Sequence, residues 1–449
     1  MVPVLAHGFG RGYDLPLPLW LYLYGAAAAV ALSFVPLAVL SGKKDRDPHQ
    51  YATFDLSRVR GLGALLHSRL LRAGLRFLSV GLFGLVVAAG LFGSQGGGNV
   101  APAFVWAAWW VGFSLFVAFV GNPWPLVSPW AVLFGWADGA ARRLGRRGGL
   151  WVGWKYPEAL GVWPAVALYA AFVWFENVFA DPGLPRNVAL AALLYSLVTL
   201  YGMACFGREA WLRHGEAFAV LFGLLARFAP TEVGERGLNL RPPAVGLTAP
   251  GRMSPGGVVF VALVLAGITY DGLLETPLWV EIVRRTPITQ TGGLFLAWAL
   301  FAGAYLGCAK LGRVLGGETV PSGRSTAARV HALVPIAVAY QVAHYGTFLI
   351  VQGQELVALA SDPFGWGWDL FGTADFRPDY GLLGVGAVWY AQVGLVVAGH
   401  VVAVWLSHRV SASPRGGYGR VVLGQVPMLV LMVLYTVSGL WILAQPIVG

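Results

Sequence analysis

Long apolar runs dominate this chain, and short polar stretches interrupt them. Ten runs stand out, at roughly 17–41, 77–95, 101–121, 161–180, 187–206, 256–275, 291–312, 328–352, 381–408 and 421–445. As helices rising about 1.5 Å per residue, runs of about 20 residues cross a hydrocarbon core of about 30 Å. A β-barrel would instead show alternating segments of about ten residues. The pattern predicts an all-α fold, a polytopic integral membrane helical bundle of about ten transmembrane helices. It reads as a single transmembrane domain over 1–449. An extracytoplasmic tail at 1–16 precedes five spans within 17–206. A cytoplasmic surface helix and linker follow at 207–255, then five spans within 256–445 with an outer loop at 353–380.

The polar connections set the orientation. With the N terminus outside, the inner connections 42–76, 122–160, 207–255, 310–330 and 409–420 hold 26 of the 31 Lys and Arg residues. The outer segments hold 5: Arg11, Arg186, Arg284, Arg285 and Arg377. Cytoplasmic loops carry such an excess, so the prediction is N-out, C-out. Two inner connections, Pro129 to Arg143 and Gly215 to Arg227, read as amphipathic surface helices on the cytoplasmic side. Both contain Ala-Val-Leu-Phe-Gly, follow a span and end in arginine. The shared pentapeptide is consistent with a duplicated unit near 101–180 and 187–275, or with lipid exposure common to both.

Composition supports the membrane reading. Hydrophobic residues make up 57% and charged residues 12%, with a mean hydropathy of +0.66. A soluble domain carries about twice that charged fraction. The net charge of +10 follows from the inner loops, so lipid rather than nucleic acid is the expected partner. Basic residues in 42–76, among them Lys43, Lys44 and Arg46, read as contacts to anionic lipid. Cys205 and Cys308 fall inside spans and form no CxxC or haem-attachment motif. Residues 1–16 lack a basic region followed by a short apolar core, so the first span reads as retained.

Ionisable groups inside spans are costly unless partnered, and they usually mark a site. Four of the eight histidines, His331, His344, His400 and His408, lie between 331 and 408, with Gln341, Gln352 and Gln392. Helix rise puts Gln341 and His344 in the outer half of their span, level with Gln392 of the next. Asp271 and Glu275, spaced i and i+4 on one face, end the sixth span, and Glu176 ends the fourth at the same level. His7 and Asp14 lie on that side too. Imidazole with carboxylates is a ligand set for zinc, manganese, iron or copper, and a metal there would activate water. The alternative is structural. Asp271, Glu275 and Glu176 are then solvated helix ends, and His344 is a core histidine bonded to Gln392. His331 and His408 read as cytoplasmic-border residues. His400, deeper, is a candidate cofactor ligand, although its depth differs from that of His344 by more than about 10 Å. The loop at 361–372 reads either as an interfacial anchor through Trp366 and Trp368 or as a lid turning Asp362 or Asp369 inward.

Several segments resemble a known family. Residues 6–20 (Ala-His-Gly-Phe-Gly-Arg-Gly-Tyr-Asp-Leu-Pro-Leu-Pro-Leu-Trp), the segment from His331 to His344, the Ser-Asp-Pro loop and Gly399-His-Val-Val-Ala-Val-Trp405 are similar to bacterial multispanning proteins known as fenitrothion hydrolases. The resemblance implies a bacterial cell-membrane protein that hydrolyses an organophosphorus ester, with water attacking phosphorus and a phenol leaving. It carries no catalytic residue over.

Three functions follow as expectations. A membrane hydrolase would use His344, Asp271 and Glu275, with Glu176, to hold a divalent metal or act as general base, while Gln341 and Gln392 orient water or substrate. A transporter or assembly factor for a metal ion, proton or small solute needs the same polar cavity without bond breaking. A haem or quinone redox subunit would use His400. Expected partners are the bilayer, a small-molecule substrate and other membrane proteins.

Overall fold

The computed structural model describes residues 17–40, 51–59, 61–234, 237–248, 253–282, 286–317, 329–411 and 418–445. His7, Asp14, Lys43, Lys44 and Arg46 lie outside the described residues. Among the described residues nine helices are long and apolar enough to cross a membrane. They are Arg69–Phe92, Val100–Phe119, Glu158–Asn177, Pro185–Phe206, Pro255–Leu274, Pro287–Gly316, His331–Gln352, Val385–Arg409 and Val422–Ala444. The first expected span is a helix over Leu19–Leu40, whose fully described part, Leu19–Phe34, is shorter. The all-α expectation therefore holds.

We label the helices used below α1 (Leu19–Leu40), α2 (Arg69–Phe92), α3 (Val100–Phe119), α4 (Pro129–Arg143), α5 (Trp163–Asn177), α6 (Pro185–Phe206), α7 (Arg208–His214), α8 (Ala217–Leu225), α9 (Pro255–Leu274), α10 (Pro287–Gly316), α11 (Val334–Gln352), α12 (Glu355–Ser361), α13 (Val385–Ser411) and α14 (Tyr418–Ala444). Side-chain caps set several starts. Ser254 accepts from the Gly257 amide at α9, and Thr286 forms a capping box with Thr289 at α10. Proline follows each cap at the first helical position, where no intrahelical N–H is needed.

Two helices form the centre. In α9 and the helix containing α11, 72% and 67% of the apolar window is buried, against 17% for α2 and α10. The inner pair therefore meets protein all round, and α2 and α10 form the rim. Residues Phe104–Phe113 of α3 wind as a π-helix, a wider coil often found at functional sites. This segment carries Trp106, Trp109 and Trp110 into the interior.

α10 and α14 cross where glycines let the backbones touch. A Cβ on Gly312 would lie 2.4 Å from the Gly424 carbonyl oxygen, and one on Gly424 would lie 2.9 Å from the Gly312 oxygen. Small residues at helix crossings permit such close packing in membranes. Gly312→Val is therefore expected to cost about 1–3 kcal/mol through overpacking. Gly303→Val, at an open position of the same helix, is the control. Melting of the detergent-purified protein checks this, and equal melting of the two variants refutes it.

The segment 207–255 differs from expectation. Gly207, at φ +85°, reverses the chain after α6, and α7 folds back so that Trp211 packs on Gly202 and Phe206. Glu216 then lies against Tyr195, midway along α6. α8 runs on from there beside α3, with Phe218 against Trp109 and, past the helix end, Phe228 against Phe119. Of its residues, Ala217, Phe218, Leu221, Phe222, Leu224 and Leu225 are buried. α8 is thus an interior helix, not a surface one. α4 is mixed: Pro129 to Val132 and Phe134 are buried, and the stretch after Phe134 is mostly exposed. Both copies of Ala-Val-Leu-Phe-Gly lie near the start of these two helices, each following a fully buried cap, Ser128 or Glu216.

Beyond α8 lies a small antiparallel sheet, order β1–β3–β2, from Phe54–Asp55, Gly237–Leu240 and Thr231–Gly234. Arg241 follows it and is 8% exposed. Its guanidinium donates to the carbonyls of Ala226 (2.8 Å), Arg227 (3.2 Å) and Ala229 (3.1 Å), and pairs with Glu232. A cation at a helix C-terminus offsets the dipole and satisfies its free carbonyls. Burial, with the neighbouring Arg241 charge, lowers the pKa of Arg227.

Candidate functional site

Helix α9 brings Asp271 near its C-terminal end, and α11 brings His344 to meet it. His344 Nε2 and Asp271 Oδ2 are 2.8 Å apart, with side chains 7% and 13% exposed. Close packing holds the pair. A Cβ on Gly272 would lie 3.3 Å from His344 Cε1 and 3.4 Å from the Tyr340 hydroxyl. The Tyr340 ring stacks parallel to the imidazole at 5.9 Å, and Tyr345 meets it edge-on at 4.5 Å.

Glu176, at the end of α5, completes the cluster. The Trp110 indole donates to Glu176 Oε1 at 2.6 Å, and the Tyr345 hydroxyl donates to the same oxygen at 3.4 Å. Tyr345 also hydrogen-bonds Asp271, so one phenol stands between the two carboxyls. A hydroxyl both donates and accepts. It can give its proton to one carboxylate while taking one from the other in its acid form. Four elements, α3, α5, α9 and α11, thus meet at a chain running Glu176, Tyr345, Asp271, His344. In a low-dielectric interior, neighbouring carboxyls disfavour simultaneous ionisation and tend to share protons.

The expected residues divide. His344, Asp271 and Glu176 come together. Gln341 lies one turn from His344, is 7% exposed, and its amide nitrogen has no hydrogen-bond partner in the structure. Gln392 donates to the Ala343 carbonyl at 2.7 Å, so it braces the backbone beside His344 rather than bonding the ring, as the structural alternative had it. Glu275 is the C-cap of α9, a turn beyond Asp271. His400 stands apart on α13, where its Nδ1–H donates to the Val396 carbonyl at 2.8 Å and its Nε2 has no partner in the structure. His331 and His408 are both buried within the protein. His331 accepts from Arg227 at 3.2 Å, and His408 donates to Gln425 at 2.9 Å.

The aromatic loop does not turn its acids inward. Asp362 accepts from the amides of Trp366 and Gly367, and Asp369 accepts from that of Ala374. The Phe364 and Pro363 carbonyls accept from Ser94 and Val100, fixing the loop to the α2–α3 connection.

Among the described residues no three His, Cys, Asp or Glu side chains form a group able to hold a metal ion. Tyr345, Trp110 and Tyr340 are the site residues that reading the sequence missed. No signal in the sequence singles them out, because aromatic residues make up 13% of the chain.

Comparison of the chain with models of known families, with curated proteins and with solved structures returned no match.

Proposed function

We propose that this protein is a proton-coupled carrier of a small solute in the bacterial cell membrane, with both termini outside and the β1–β3–β2 sheet in the cytoplasm. The observation that carries this reading is the buried chain of Glu176, Tyr345, Asp271 and His344, contributed by three helices long enough to cross a membrane. Linked acids and histidines inside spans serve proton relays in pumps and transporters. Interior helices that stop short of spanning, as α8 does, are a recurring part of carriers, where neighbouring protein covers their broken backbone. The distribution of Lys and Arg supports the orientation.

The test is proton uptake by vesicles containing purified protein, under an imposed membrane potential, read by a trapped pH dye with and without candidate solutes. Uptake well above that of protein-free vesicles is expected. Uptake equal to protein-free vesicles under every solute tried defeats the reading.

One observation favours a second reading, the ester hydrolase that the resemblance implies. An imidazole oriented by a carboxylate, as His344 is by Asp271, is an arrangement for general-base catalysis. Hydrolysis of a nitrophenyl phosphotriester by the purified protein, lost in His344→Ala and retained in His408→Ala, supports it. No turnover above buffer removes it.

A further inference from the structure

The sheet end of the bundle holds a cation that no neighbouring acid balances. Arg227 follows α8, and its Nη1 donates to His331 Nε2 at 3.2 Å. His331 opens the short helical turn, His331–Leu333, that leads into α11. The Arg227 guanidinium is half-buried, and among the described residues it has no carboxylate partner and no second side-chain hydrogen bond. It is not needed as a helix cap. Arg241 already holds the carbonyls of Ala226, Arg227 and Ala229, and the Phe228 carbonyl accepts from Ala244. The nearby acid, Glu232, pairs with Arg241 and accepts from the Tyr51 hydroxyl. A charge drawn partly out of water without a partner is costly. A guanidinium has five N–H donors in a planar fork. His331 takes one and so fixes the plane. Nε and Nη2 have no partner among the described residues, yet both keep accessible surface, unlike the sealed Nε atoms of Arg208 and Arg313. Two adjacent donors of this kind match two oxygens of one carboxylate or phosphate.

We propose that Arg227, oriented by His331, binds a small carboxylate or phosphate anion at the sheet end of the bundle. The site joins the end of the interior helix α8 to the start of the central helix containing α11, away from the rim helices α2 and α10. A free anion therefore suits it better than a lipid headgroup, which would approach from the rim. His344 stands about 20 Å further along the same helical run. One rod thus holds the anion site at one end and the proton cluster toward the other. The solute of the proposed carrier is accordingly an anion, moved together with protons that offset its charge. That last step rests on the proposed function, whereas anion binding does not.

The experiment uses the full chain in detergent. Melting is followed as inorganic phosphate, acetate or short-chain phosphatidic acid replaces chloride at constant ionic strength. Saturable stabilisation by phosphate or acetate is expected, with an apparent affinity about tenfold to a hundredfold weaker in Arg227→Gln. Arg227→Lys keeps the charge without the fork, is expected to lose about tenfold, and carries the test if Arg227→Gln is not recovered folded. His331→Gln, whose amide oxygen still accepts from Arg227, is expected to bind nearly as the wild type does, and His331→Leu more weakly. Wild-type melting that no probe changes overturns the site, as does equal stabilisation of the wild type and the Arg227 variants. Stabilisation by phosphatidic acid alone overturns the free anion and assigns the fork to a headgroup. Proton uptake by wild-type vesicles without Arg227-dependent binding removes the anion site and leaves the proposed function standing. Anion binding by protein whose vesicles take up no protons does the reverse.

Discussion

Asp271→Asn is expected to lower proton uptake by reconstituted vesicles about a hundredfold while leaving the fold intact. The amide is nearly the same size as the carboxyl, and its oxygen still accepts from His344 Nε2, now 2.8 Å from the carboxylate. It neither takes nor gives a proton at ordinary pH. The chain from Glu176 through Tyr345 is then cut at its centre. Removing a positioned proton donor or acceptor typically costs a factor of about 10² to 10⁴, and the lower end is appropriate because His344 and Glu176 remain. Stability is expected to change by no more than about 1 kcal/mol, since one hydrogen bond is replaced by another. Glu176→Gln carries the same expectation, because the Trp110 indole still finds an oxygen acceptor. The competing view treats the His344–Asp271 pair as packing glue. It predicts unchanged uptake in Asp271→Asn, and that measurement sinks the relay.

How far the sequence reached can be argued residue by residue. The meeting of His344 with Asp271 and Glu176 was legible, because two rules were enough: ionisable groups inside spans need partners, and helix rise converts position into depth. Depth alone does not say which way a side chain turns. Gln392 was correctly placed beside His344, yet it bonds the Ala343 backbone. Gln341 lies close to the cluster but lines a neighbouring cavity. The tyrosines and Trp110 were not legible, since aromatic residues make up 13% of the chain and one more in a span carries no signal.

Helix α8 was misread for an instructive reason. Ten uncharged residues, 217–226, followed by Arg227 are too few to span, and a surface helix was the nearest familiar alternative. A surface helix, however, needs a polar face. Residues 217–225, Ala-Phe-Ala-Val-Leu-Phe-Gly-Leu-Leu, have none. A short helix apolar all round is buried against protein or lipid; here six of its nine residues are buried by protein, and the single acid just before it, Glu216, is the mark of a buried N-terminus needing an acceptor.

Glu216→Ala is accordingly expected to be the most damaging single change to stability. Glu216 is 0% exposed. Its carboxyl accepts from the amides of Phe218 at 2.9 Å and Ala219 at 2.7 Å, from the Trp124 indole at 3.1 Å, and from the Tyr195 hydroxyl. It therefore joins the start of α8 to the turn after α3 and to the middle of α6. Alanine removes the acceptor from four donors at once, two of them buried and two part-buried. An orphaned buried donor costs about 1–3 kcal/mol. Even with partial relaxation, and with the Tyr195 hydroxyl free to turn elsewhere, the sum is expected to exceed about 4 kcal/mol, beyond the range of most substitutions. Glu216→Gln is expected to fall between, because its carbonyl keeps two donors while its NH₂ faces the others. Arg241→Met, at the opposite end of α8, frees three backbone carbonyls and leaves Glu232 without its cation. Glu158→Ala, at an exposed position, is the control and is expected to shift stability by less than about 0.5 kcal/mol. Retention of monodisperse protein after graded heating in detergent ranks the four variants. If Glu216→Ala melts with the Glu158→Ala control, the carboxyl does not hold α8 in place, and the interior position of that helix needs another explanation.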